Sequence, residues 1–84
     1  MYYNYVLQSS KDKNFYTGRT NNLVKRIEKH NKGFIPSTKN RRPLKLLYCE
    51  MCINKGDAFR REKFLKTGMG KKYIKNKLKK FLTG

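Results

Sequence analysis

Tyr2-Tyr3-Asn4-Tyr5-Val6-Leu7-Gln8 and Phe15-Tyr16-Thr17-Gly18-Arg19-Thr20 are the two runs on which the reading of this chain turns. Their aromatic and β-branched residues suit a pleated, half-buried surface. Between them lies Ser9-Ser10-Lys11-Asp12-Lys13-Asn14, a cluster of turn formers, so an antiparallel hairpin with a loop of about six residues is predicted. If Gln8 pairs with Phe15, Tyr5 stands opposite Gly18 and Leu7 opposite Tyr16. One face of a strand recurs every second residue, so Tyr5, Leu7, Tyr16 and Gly18 share a face.

Beyond the hairpin the period changes. Thr20-Asn21-Asn22 offers a helix cap, Leu23, Val24 and Ile27 follow at helical spacing, and Asn31-Lys32-Gly33 is a normal stop. Arg26 and His30 then sit one turn apart on one helical face. Gly33–Pro43 reads as a basic loop with two prolines, and Leu44–Glu50 as a third strand. Lys55–Thr67 predicts a second helix, with Asp57 near its positive end. Gly68 and Gly70 then interrupt the chain, and Lys71–Leu82 predicts a third helix with Tyr73, Ile74, Leu78, Phe81 and Leu82 as its apolar positions. The order β-β-α-β-α-α suggests an α+β fold: a small antiparallel three-stranded sheet flanked by helices, with residues 1–84 as one domain.

Composition limits what such a fold can do. Lys and Arg number 22 against 5 Asp and Glu, a net charge of +17. Leu, Ile, Val and Phe make up about 23% of the chain, just above the rough 20% below which chains tend to disorder. Six Tyr add apolar area, so a thin core is feasible. A surface this positive repels itself, and a polyanion offsets that cost, which makes nucleic acid the expected partner. No apolar run approaches the roughly 18 residues of a membrane span, and no secretory signal opens the chain, so a cytoplasmic protein without a membrane partner is expected. Cys49 and Cys52 form a lone C-x-x-C beside a single histidine, too few ligands for a zinc site, and are expected as buried or half-buried free thiols.

In a chain with so few acids, each carboxylate can be placed. Asp12 falls in the turn, Glu28 on a polar helix face, Glu50 at a strand end and Asp57 at a helix start. Only Glu62 interrupts an apolar stripe, with Ala58 and Leu65, while Arg60, Arg61 and Lys63 surround it in sequence. Two readings stand: an ion pair under a basic helix, or a hard carboxylate holding a divalent cation against a phosphate. A two-metal carboxylate cluster is beyond this composition.

Taken together these residues resemble the GIY-YIG nuclease superfamily. The first triplet corresponds to Tyr3-Asn4-Tyr5 and the second to Tyr16-Thr17-Gly18, followed by Arg26, His30 and Glu62 in the family's order. Of the first triplet only the tyrosine remains; the second keeps Tyr16 and Gly18. Arg41-Arg42-Pro43-Leu44 and Arg60-Arg61-Glu62-Lys63 resemble compact, stand-alone bacterial members, similar in turn to the catalytic domain of the excision-repair nuclease and to structure-selective endonucleases.

The resemblance implies a metal-dependent DNA endonuclease, with DNA repair or recombination as its suggested setting. Glu62 would hold one Mg²⁺ or Mn²⁺, and Tyr5 would deprotonate or orient the attacking water. A nearby metal and cations are expected to favour the Tyr5 phenolate. Arg26 would stabilise charge on the phosphate, His30 would bond a tyrosine hydroxyl or relay a proton, and Tyr16 would orient groups at the centre. Asn76 stands where many catalytic members carry a late Asn. Gly18 would give room opposite Tyr5. With Arg19, Ser37, Thr38, Lys39, Arg41 and Arg42 it is also a candidate for contact with the nucleic-acid backbone. The alternative is a catalytically weak nucleic-acid-binding protein of the same fold, and RNA is a lesser expectation than DNA.

Overall fold

In a computed structural model covering residues 1–84, β1 (Tyr2–Ser9) and β2 (Phe15–Thr20) form the expected hairpin, with Tyr5 opposite Gly18 and Leu7 opposite Tyr16. The turn is held by Ser9, whose hydroxyl accepts from the Lys11 and Asp12 amides, both at 3.1 Å, and donates to the Arg41 carbonyl at 2.6 Å. A third strand, β3 (Leu44–Cys52), pairs antiparallel with β1 and runs two residues beyond the expected end. The sheet order is β2-β1-β3, with a bulge in the β1–β3 ladder between Val6 and Leu7. β1 is therefore the central strand, and Asn4, Tyr5, Val6 and Leu7 are all buried because both faces of the sheet are covered.

α1 (Leu23–Asn31) starts at Asn22, whose side chain accepts from the Lys25 amide at 3.2 Å. It packs Leu23 and Ile27 over Tyr5, Leu7 and Leu44. Val24, expected among the apolar positions, is 70% exposed, since a nine-residue helix presents only one stripe to the sheet. α2 (Lys55–Leu65) and α3 (Gly68–Lys77) cover the opposite face, where Val6, Leu65 and Ile74 form a second cluster with Phe15, Phe64 and Tyr73 around it. Each fully buried aliphatic side chain there contributes roughly 1.5–3 kcal/mol.

Two expectations are corrected. The third helix begins at Gly68 rather than Lys71 and divides after Lys77, leaving a short α4 (Lys79–Thr83). The glycines do not interrupt it: Thr67 caps the helix by accepting from the Gly70 amide at 3.1 Å, and Gly70 lies directly on the end of α2. Cys49 is exposed, because α1 covers Tyr5, Leu7 and Leu44 and leaves that end of β3 open; Cys52 is half-buried and both thiols are free. No helix is long and apolar enough to cross a membrane.

Candidate active site

β1 and β2 aim Tyr5 and Tyr16 toward the face covered by α1, and α1 brings His30 between them. The Tyr5 hydroxyl lies 2.9 Å from His30 Nε2. The His30 ring is 5.7 Å from that of Tyr5 and 5.0 Å from that of Tyr16, both edge-on. Gly18 is what lets Tyr5 reach this position. A Cβ there would collide with the Tyr5 hydroxyl and stand 2.5 Å from its Cζ, so only glycine permits so close a crossing.

Burial is the main electrostatic fact here. His30 is fully buried, and desolvation, then the Arg26 guanidinium, push its pKa down, so the neutral imidazole is favoured. Burial also pushes the Tyr5 phenol well above its ordinary value of 10.0; Tyr16 and Glu62 act in the same direction, and Arg26 opposes them. Among the protein's own groups near Tyr5 only Arg26 favours the phenolate, and desolvation, Tyr16 and Glu62 outweigh it.

A stability consequence follows for His30. The unfolded chain takes up its proton at the ordinary value of 6.5, the folded chain only at lower pH. Between those two values the unfolded state binds more protons. Stability is therefore complete above 6.5 and falls as pH drops below it. Chemical denaturation at neutral and mildly acid pH is expected to show this loss. A His30→Gln variant, compared with itself across the same range, is expected to lack that component.

Glu62 stands on α2, half-buried, with its carboxylate 3.3 Å from Arg19 Nε and 3.4 Å from Lys66 Nζ. Both distances exceed the roughly 2.7–2.9 Å of a tight charge-assisted bond. Arg19 shares its face of the sheet with Asn4 and also lies 5.0 Å from the Phe59 ring centre. Glu62 adds a small electrostatic push to the raised Tyr5 pKa, after desolvation, Tyr16 and Arg26. No three His, Cys, Asp or Glu side chains come together anywhere in the chain. A hard cation at Glu62 would thus take one protein carboxylate, and Mg²⁺, which keeps several waters and uses substrate phosphates, suits such a donor set.

Other expected residues fall elsewhere. Thr38 is fully buried with its hydroxyl 2.7 Å from His30 Nδ1, so it is unavailable to a nucleic-acid backbone; sequence reasoning missed this role. Gly18 is likewise buried beneath Tyr5 and cannot serve as a backbone contact. Arg41 pairs with Asp12 at 2.7 Å and ties the basic loop to the hairpin turn. Ser37, Lys39 and Arg42 remain exposed. Asn76 is exposed on α3 and makes no hydrogen bond with the other candidates. Asn4, the departure in the first triplet, is buried and donates to the Ala58 carbonyl at 3.1 Å, joining β1 to α2. Its Oδ1 is the one buried side-chain polar atom without a partner.

Tyr5, Tyr16 and His30 meet in space, with Arg26 one turn before His30 on α1 and Glu62 on α2. The family model of the GIY-YIG catalytic domain matches residues 1–80. The chain belongs to the GIY-YIG family. This is a nuclease family, so nucleic acid is the class of substrate. Among similar proteins, a UPF0213 protein of Clostridium perfringens is 48% identical over 67 residues, spanning 79% of this chain and 71% of that protein. A UPF0213 protein of Staphylococcus saprophyticus is 41% identical over 75 residues, spanning 88% of this chain and 90% of its own. A third, from Syntrophus aciditrophicus, is 42% identical over 66 residues, 76% of this chain and 75% of its own. No solved structure gives a significant match. Against the family's GIY-YIG signature, the chain carries Tyr3-Asn4-Tyr5 and Tyr16-Thr17-Gly18.

Proposed function

We propose that this GIY-YIG protein is a metal-dependent DNA endonuclease acting in the cytoplasm, in repair or recombination. The observation that carries the proposal is the contact of buried Tyr5 with buried His30, beside Arg26 and within electrostatic reach of Glu62. Glu62 would hold the divalent cation, which would supply charge neutralisation and polarisation at the phosphate. Tyr5 positions the attacking water and His30 takes up the proton that leaves. Arg26 faces the charge that develops on the phosphate, where a preorganised guanidinium in a water-poor site is effective. Tyr16 packs against His30 and restricts its tilt. Lys39, Arg42 and the other exposed bases hold the backbone without reading sequence.

One observation favours the alternative of a weakly catalytic binding protein: both Glu62 oxygens have a cation partner. A cleavage panel decides between them. Supercoiled, single-stranded, flapped and branched DNA are incubated with protein in Mg²⁺, in Mn²⁺ and in chelator. Cleavage in either metal and none in chelator is the expected result. Binding without cleavage of any substrate would establish the alternative.

A further inference from the structure

We propose that Thr38 is a positioning residue that locks His30 in the tautomer with its proton on Nδ1, leaving Nε2 free to accept the Tyr5 proton. The inference rests on the nuclease reading for its catalytic consequence, but not for its structural content. Three buried groups form a hydrogen-bonded chain: the Tyr5 hydroxyl, the His30 ring and the Thr38 hydroxyl, separated by 2.9 Å and 2.7 Å. The direction of this hydrogen-bond relay follows from counting protons.

If Tyr5 donates to Nε2, then Nδ1–H donates to Thr38 Oγ1. The Thr38 hydroxyl in turn donates to the Ile35 carbonyl, 3.5 Å away. Every proton then has an acceptor. In the reverse direction Thr38 donates to Nδ1 and Nε2–H donates to Tyr5. The phenol proton is then left without any protein acceptor, since His30 is the only hydrogen-bond partner of that hydroxyl. A buried hydroxyl stripped of its acceptor is costly, so the first direction prevails. The charge states agree with it. Burial holds the proton on Tyr5 and keeps His30 neutral.

The tautomer has a defined use. As water attacks, one of its protons passes to Tyr5 Oη while the proton already on Oη passes to Nε2. The lone pair of the water oxygen forms the new P–O bond. The electron pair of the breaking P–O bond leaves on the sugar oxygen, which takes a proton from solvent. His30 ends as imidazolium, its Nδ1–H still bonded to Thr38. The opposite tautomer would present a proton to Tyr5 and block the transfer. The charged and titratable groups facing His30 are Tyr5 and Tyr16 from the hairpin and Arg26 from its own helix.

His30 is the only histidine in the chain, so its two ring nitrogens can be read without ambiguity. In protein carrying ¹⁵N-histidine, long-range ¹H–¹⁵N spectra at neutral pH are expected to show a protonated Nδ1 and a bare Nε2. Thr38→Val, nearly isosteric but without an acceptor, is expected to give a mixture of tautomers or the opposite one. It should also lower kcat by about tenfold, the order expected for one lost hydrogen bond to a group that becomes charged. KM should be little changed, and the acid limb of the pH–rate profile should shift. Thr38→Ser, which keeps the hydroxyl, is expected to restore both spectrum and rate.

A wild-type spectrum with the proton on Nε2 would overturn the proposal, as would a Thr38→Val spectrum indistinguishable from wild type. Should Thr38→Val fail to fold, the wild-type spectrum alone still decides the tautomer. Because that readout needs no catalysis, absence of nuclease activity would count against the proposed function and not against the tautomer.

Discussion

Replacing Glu62 by alanine is expected to lower metal-dependent cleavage by on the order of 10³-fold or more while leaving DNA affinity equal or slightly higher. Glu62 is the one acid among the proposed site residues, and no three His, Cys, Asp or Glu side chains gather elsewhere to hold a metal in its place. Its loss removes the anchor for a cation and frees Arg19 and Lys66, adding one unit of positive charge to a surface that attracts phosphate. Stability should change modestly: Lys66 is exposed, Arg19 is partly exposed, both contacts are longer than a tight ion pair, and such pairs contribute ~0–1 kcal/mol. Paired measurements settle the matter: nicking rates against Mg²⁺ concentration, and DNA binding at fixed salt, which alone makes affinities comparable. Cleavage at the wild-type rate would remove Glu62 from the mechanism. Equal loss of binding and cleavage would instead point to a structural role.

The largest expected effect on stability lies far from that chemistry, at Gly70. A methyl group there would run into the Phe64 carbonyl and stand 2.5 Å from Leu65 Cα and 2.7 Å from Leu65 C. These are backbone atoms at the end of α2 and cannot swing aside. Alanine gains about 1 kcal/mol of helix propensity over glycine, yet α3 would have to retreat and loosen Ile74 from Leu65 and Val6. A net loss of about 3 kcal/mol is expected, lowering Tm by more than about 10 °C in a domain this small. Gly68, two residues earlier, has open space around it, so Gly68→Ala is the control and should be neutral or mildly stabilising. Thermal melts of the two variants side by side provide the check; similar melting temperatures would refute the packing argument.

Much of the architecture was legible because it is written in local periods. The aromatic and β-branched content of Tyr2–Gln8 and Phe15–Thr20, with a turn cluster between, marked a hairpin, and the register that follows from pairing Gln8 with Phe15 is the one observed. Asn22 begins a helix because its short polar side chain can satisfy a free amide. Tyr5, Tyr16 and His30 follow from these elements, since two strand positions and one helical position suffice to bring them together. The register placed Gly18 opposite Tyr5, and the family resemblance implied that it gives Tyr5 room.

Other features depended on groups distant in sequence. Thr38, placed by its neighbours in a basic loop, looked like a phosphate contact, but the loop folds its hydroxyl back onto His30. Arg41 looked free and is held by Asp12, 29 residues away in sequence. The glycines before α3 resembled an interruption, yet Gly70 marks where two helices touch.

The sequence by itself determined the order of elements, the hairpin register and which few side chains could do chemistry, because those rest on backbone preferences and periods of two or 3.6 residues. Only the tertiary structure decided what each polar group bonds to and whether it meets water. It buried Tyr5 and His30, so that desolvation holds the proton on Tyr5 against the pull of Arg26, and gave Glu62 its two cationic partners. Burial and ion pairing are properties of which surfaces meet in space, and no local pattern along the chain contains them.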